Sequence, residues 1–208
     1  MGLQPKVLLL ICIICCLPAI QNCGSSGGGG TSDVIIADQL INDGWANIQV
    51  GQYKTAVTNF QQALAQSMTD AQSVSANSGY GWALAKDGRI NEAIPFFEVA
   101  SGKGDHEATV GLAGALIFRH QTSEDYLRSA ELLDKLIKAN NEAISIPHAG
   151  LGLNKAKIYA LAAISFALAN DLPNAKYYIN KAAALDSTMV GTTVDRIDEA
   201  FTLLGWRD

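Results

Sequence analysis

Cys12, Cys15 and Cys16 stand in a CxxCC spacing with Cys23 a short step beyond, and thiolates so placed can hold a soft metal ion. A metal site also needs polar neighbours to orient its ligands. The run from Val7 to Leu17 offers none, and cysteine in such a run serves as a small apolar residue. The histidines, His106, His120 and His148, fall in no HExxH or similar ligand spacing and read as scattered surface residues in loops or at helix ends. Ser123 to Tyr126 (SEDY) brings acid and hydroxyl together, but a helix start asks for those residue types for capping and dipole reasons alone. The glycine-rich stretch before Thr31 has neither the preceding strand nor the following Lys-Ser/Thr of a phosphate loop. No catalytic constellation, metal or cofactor is expected. What remains to be positioned is Cys23 and the surface of the folded body.

The apolar run before Cys23 is 11 residues long, follows Lys6 and is broken by Pro18. A bilayer span needs about 20 apolar residues, so the run reads as a cleavable secretory signal rather than a transmembrane helix. Cys23 lies just past it in AIQNCGSS. This stretch resembles the bacterial lipoprotein signal, with Ile20 in the apolar position three before the cysteine and Asn22 where Ala, Gly or Ser is usual. The resemblance implies that the Cys23 thiol receives a diacylglycerol, that residues 1–22 are removed and that the new amine is acylated. The alternative is ordinary secretory cleavage nearby, with Cys23 left free or lost. Several acyl chains hold a protein firmly, each buried CH₂ contributing about 0.8 kcal/mol. Residues 24–32 (GSSGGGGTS) then form a tether spanning roughly 15–18 Å on average and at most about 30 Å. After signal removal Cys23 is the remaining cysteine, so no intrachain disulfide can form. Gly24, rather than Asp, follows it, which under the sorting rule of enteric bacteria implies the outer membrane.

The rest of the 208-residue chain, from about residue 33, is long enough for one domain with a real core. The sequence is 49% hydrophobic with only five prolines, a composition that favours helix. All 20 acidic residues and all but Lys6 of the 15 basic ones follow Cys23. An acidic body is repelled by phosphate backbones, so nucleic acid is excluded as a partner.

That body repeats. Gly44, Trp45, Gly51, Tyr53, Ala56, Phe60 and Ala63 recur 37 residues later as Gly81, Trp82, Gly88, Ile90, Ala93, Phe97 and Ala100. Ala163, Asn170, Leu172, Ala175, Ile179 and Ala182 fill the same places again. Tyr53, Ala56, Val57 and Phe60 make a core-facing helical stripe, and Pro95 and Pro173 are expected in the first turns of their helices. A degenerate unit lies between, with Gly111 and Ala130 in the small positions. Its first helix or its turn (about His120 to Glu124) is longer, and Asn140 to Gly152 is an insertion that stretches the interval from Ala130 to Ala175 to 45 residues. Thr69 with Gln72 forms a capping box opening the third helix. The pattern resembles the tetratricopeptide repeat, which implies antiparallel helix pairs with small residues where they cross. The fold expected is all-α: one right-handed α-solenoid of about four such pairs, with a C-terminal helix capping the exposed end.

In tetratricopeptide families the first helices line a concave groove. The resemblance implies groove positions at Asp38, Ile41, Trp45, Ile48 and Gln49, then Ser75, Ser78, Trp82, Ala85 and Lys86. The later units give Asp105, Ala108, Leu112, Ala115 and Leu116, then Lys157, Ala160, Ile164, Ala167 and Leu168. Trp45 and Trp82 would form an aromatic pair for a partner, tryptophan being the commonest hot-spot residue; alternatively each ring packs against the next first helix as core. The lysine–asparagine clamp of some members is only partly present, in Asn47 and Lys86. The later positions are mostly apolar, so either the groove is greasy there or the last helix enters it by Val194, Ile197, Phe201 and Leu204. The function expected is an envelope lipoprotein, on the periplasmic face of the outer membrane in a Gram-negative host. Its repeat domain holds a protein or peptide partner, as in outer-membrane assembly, pilus or secretion machines. The alternative is a small-ligand-binding protein that serves a solute transporter. A closed cavity lined by Trp45, Trp82, Leu112 and Leu116 would favour the alternative, and an open groove rimmed by charge the scaffold.

Overall fold

The computed structural model describes residues 30–119, 122–140 and 143–204. The signal segment, Cys23 and the tether to residue 29 lie outside the described residues, as does His120. The described chain forms four helix pairs and a closing helix, with no β-strand among the described residues. α1 (Gly30–Gln49) pairs with α2 (Tyr53–Leu64), α3 (Asp70–Lys86) with α4 (Ile90–Gly102), and α5 (His106–Arg119) with α6 (Ser123–Ala139). After a long connection holding a 3-10 turn (Ala149–Leu151), α7 (Lys155–Leu168) pairs with α8 (Leu172–Ala183), and α9 (Thr193–Leu203) ends the stack. α1 begins at Gly30, so its first turn takes in the last three residues of the glycine–serine stretch.

Four helices end alike. Gly51, Gly88 and Gly104 have φ of 75°, 84° and 88°, and Asn170 has φ of 63°. The next residue in each case donates its N–H to a carbonyl five back: Gln52 to Asn47, Arg89 to Leu84, Asp105 to Ala100 and Asp171 to Phe166, at 2.8–3.1 Å. A left-handed residue is what lets the chain reverse while still satisfying those last carbonyls, and Asn tolerates it next best after Gly. The recurrence of Gly51, Gly88 and Asn170 in the sequence is thus a recurrence of turn geometry. Thr69 and Gln72 form the expected capping box at the start of α3. Pro173 lies in the first turn of α8, as expected. Pro95 does not: α4 starts at Ile90, immediately after the left-handed turn, which places Pro95 inside the helix. Its ring is exposed, so the hydrogen bond it withholds is lost on the solvent side.

The repeat spacing is a packing device. Phe60 of α2 is fully buried between two glycines, Gly44 of α1 and Gly79 of α3, and a Cβ on Gly44 would stand 2.6 Å from the ring. Phe97 of α4 lies in the same way between Gly81 of α3 and Gly111 of α5. Each ring welds its own pair to the next, worth about 1.5–3 kcal/mol of apolar burial apiece. α1 touches α3, α3 touches α5 and α5 touches α7, so the first helices form one continuous inner wall. The interior falls into two clusters that share α5. Ala108, Leu112, Ala115 and Leu116 face the N-terminal cluster, and Val110, Ala113 and Ile117 face the C-terminal one.

α9 packs on α7 and α8 and covers the end of the stack. Ala200 is fully buried, and Ile197, Phe201, Leu203 and Leu204 pack against the C-terminal cluster. Val194 departs from expectation: it is 75% exposed, because it falls in the first turn, ahead of Ala200.

Candidate functional site

The inner wall is cross-linked from repeat to repeat by side chains that the sequence pattern aims at a partner. Gln72 Nε2 of α3 donates to Asp38 Oδ1 at 2.6 Å and to the Val34 carbonyl at 3.0 Å. Trp45 Nε1 donates to Ser75 Oγ at 3.1 Å, and Ser78 Oγ to Asp105 Oδ1 at 2.9 Å. Asp105 in turn caps α5 through the Ala108 N–H. Asp38, Ser75, Ser78 and Asp105 therefore bond neighbouring helices. Ile41, Ile48, Ser78, Ala108, Leu112, Leu116, Ala160 and Ile164 are buried in the stack.

The two tryptophans diverge. Both set their rings edge-on to the repeat phenylalanine, Trp45 to Phe60 at 5.6 Å and 79°, Trp82 to Phe97 at 5.4 Å and 74°. Trp45 is buried, however, and its other face is covered by the imidazole of His148, 3.5 Å away and within 5° of parallel. His148 belongs to the inserted connection between α6 and α7, which crosses the inner wall as a strap. Glu107, buried at the start of α5, accepts from the His148 backbone N–H at 2.7 Å and pairs with its Nδ1 at 2.5 Å. The Ser145 N–H donates to His106 Nδ1 at 2.9 Å. Leu151 is buried in the N-terminal cluster. Gly150 lies against the backbone of Gln49, where a Cβ would stand 2.7 Å from the Gln49 Cα. A cleft of about 380 Å³ remains between the strap and Asn42, Trp45 and Gln49.

His106 and His148 are thus fasteners of the strap and not scattered surface residues. A histidine held by a buried carboxylate is also half of a general-base dyad. Here the ring face is stacked on an indole, and no hydroxyl or thiol bonds to His148 in the hydrogen bonds described. No cluster of three His, Cys, Asp or Glu among the described residues could hold a metal. Glu107 escaped the sequence reading. The one available signal was the 45-residue interval, which left Pro147 and His148 with no place in the repeat.

Beyond the strap the inner wall stays open. A cavity of about 210 Å³ lies between α3, α5 and α7, with Leu151, Gly152 and Leu153 along one edge and Leu204 at another. Trp82, Ala85 and Lys86 come from α3, Gly111, Gly114, Ala115 and Phe118 from α5, and Lys157 and Leu161 from α7. Of the expected groove residues this compartment gathers Trp82, Ala85, Lys86, Ala115 and Lys157, and leaves Gln49 under the strap's edge. Three features set it apart from ordinary surface. The Trp82 Nε1 is buried and has no acceptor among the described residues. A buried donor without a partner is uncommon, because it forfeits its hydration for nothing. Lys86 and Lys157 face each other with no carboxylate paired to either among the described residues. The Lys157 ammonium donates to the Gly152 carbonyl at 2.9 Å. Lys86 keeps contact with solvent, yet desolvation by the apolar wall, and then the Lys157 charge, hold its ammonium below the ordinary lysine value. Lastly, Gly114 sits mid-helix with nothing within 4 Å of where a Cβ would go. Glycine there costs about 1 kcal/mol of helix propensity relative to alanine, and no packing contact demands it.

No family model matches the chain, and no curated protein matches it. Solved structures do. It is similar to MamA AMB-1 (17% identity, 83% of this chain and 91% of that one, TM-score 0.57). MamA MSR-1 gives 18% identity over 83% and 88% of the two chains, at a TM-score of 0.56. The nearly identical TPR-like repeats of a Podospora anserina kinesin light chain give 14% identity over 82% and 87%, at 0.56. At these identities the likeness is one of fold. The chain has the all-α, tetratricopeptide-like repeat fold.

Proposed function

We propose that this chain is an envelope lipoprotein, moored through Cys23, whose repeat domain holds a partner protein by a segment laid along the open part of the inner wall. Assembly, pilus and secretion machines are the settings such a layout suits. The observation that carries the reading is the compartment between α3, α5 and α7, open to solvent and rimmed by Lys86 and Lys157. Trp45, Leu112 and Leu116 belong to the core instead of lining a closed chamber with Trp82, which supports the partner-protein reading over the solute-binding alternative. Mooring rests on the sequence around Cys23, and no described helix is long and apolar enough to cross a membrane.

Two measurements test the two halves. Cys23→Ser should move the protein out of the membrane fraction; unchanged retention argues against lipid mooring. A Trp82→Ala, Lys86→Ala double variant should lose partner capture from native envelope while its far-ultraviolet dichroism stays helical. Full capture by a helical double variant would put the partner surface elsewhere.

A further inference from the structure

Resting on that reading, we infer that the open compartment recognises an acidic peptide segment in which a carboxylate side chain stands beside a bulky apolar one. The chemistry follows from what the compartment holds and lacks. Two ammonium groups without a carboxylate partner call for an anion, and an anion between them would relieve their mutual repulsion. Trp82 Nε1 is a donor only, so it asks for an oxygen: a second carboxylate oxygen or a peptide carbonyl. The floor around Gly114 and Leu161 is apolar and unfilled. An apolar side chain next to the anion fills it and desolvates the charge pair, which strengthens it.

Size decides between occupants. Pockets for whole small molecules run to about 300–1,000 Å³. The cavity here, about 210 Å³ and open to solvent, takes a side chain or two of something longer. The pattern differs from a clamp on consecutive repeats. Lys86 and Lys157 come from α3 and α7, with the glycines of α5 between them, and Lys157 is steadied by the strap carbonyl of Gly152. The ammonium has further N–H donors beyond the one given to Gly152, so it can take a carboxylate oxygen while the strap stays fastened.

The test uses the full chain in detergent, presented to a library of random peptides about twelve residues long. Enrichment of sequences pairing Asp or Glu with Leu, Phe or Trp is expected. A chosen winner should shift the indole N–H resonance that Trp82→Phe identifies. Its Asn or Gln counterpart, and the Lys86→Ala or Lys157→Ala protein, should bind at least about tenfold more weakly. Gly114→Leu should abolish binding without lowering the melting temperature, which separates a filled pocket from a damaged fold. Enrichment of uncharged or basic peptides overturns the acidic preference while leaving the scaffold reading in place. A shift of the same resonance by dodecanoate at concentrations below those of any peptide overturns the peptide assignment. Failure to enrich any sequence overturns the peptide inference, while the scaffold reading is decided by partner capture from native envelope.

Discussion

The imidazole of His148 lies flat on the indole of Trp45, 3.5 Å between ring centres, and thereby closes the first half of the inner wall with the chain's own α6–α7 connection. The stack is held from behind by Glu107, whose carboxylate takes both the backbone N–H and the ring nitrogen of the same residue. The second half of the wall stays open to solvent.

Replacing His148 with alanine removes the stack and one hydrogen bond while leaving the backbone bond to Glu107. The expected loss is about 1–2 kcal/mol in denaturant melts, with faster hydrogen exchange confined to residues 143–152.

Glu107→Ala is expected to cost more, about 2–3 kcal/mol, because it removes both hydrogen bonds to the half-buried His148 at once and empties a buried site. Glu107→Gln, which keeps one acceptor oxygen, should recover much of that loss. Equal losses in the two variants would mean that burial of the side chain matters and its hydrogen bonds do not.

Gly79→Ala should destabilise by about 1–3 kcal/mol although alanine is the better helix former, since its methyl would overlap the Phe60 ring. Shortening that ring in the Gly79→Ala, Phe60→Leu double variant should return part of the loss. A double-mutant cycle reads this as a coupling of at least about 0.5 kcal/mol. Gly114→Ala, by contrast, should raise stability by about 1 kcal/mol.

Lys86 gives an alkaline signature. Its folded value is lowered, so the unfolded chain binds that proton more tightly. Stability should rise with pH between the lowered value and the ordinary lysine value, and be flat on either side. Lys86→Met should remove this rise and add at most about 1 kcal/mol near neutral pH, the group being partly solvated. Denaturant melts from about pH 8 to about pH 11 measure both effects. An identical slope in wild type and Lys86→Met would show that neither burial nor the Lys157 charge lowers the Lys86 ammonium.

What could be read from the sequence was local geometry repeated. Gly51, Gly88 and Asn170 mark reversals, Phe60 and Phe97 mark seams, and their spacing carries the helix pairs without need of long-range information. Trp45 and Trp82 show the limit. They are equivalent in spacing and in their edge contacts to phenylalanine, yet one is stacked under the strap and the other lines the open compartment. The difference comes from His148, about a hundred residues further along the chain from Trp45. Glu107 likewise looks like an ordinary first-turn acid, favoured there by the helix dipole. Only its tertiary neighbour makes it a fastener. Lys157 sat among the expected groove positions, but its pairing with Lys86 across α5 depends on how far the stack turns between repeats. No spacing encodes that.

The contact of Gly150 with Gln49 has a mechanical consequence. In a row of hairpins each unit leans only on its neighbours, so tension applied at one end peels them off in order. Here the first helix is also tied to the connection that leads into the fourth pair. A load entering α1 is divided between two routes, and the hairpins between them are spared from yielding one at a time.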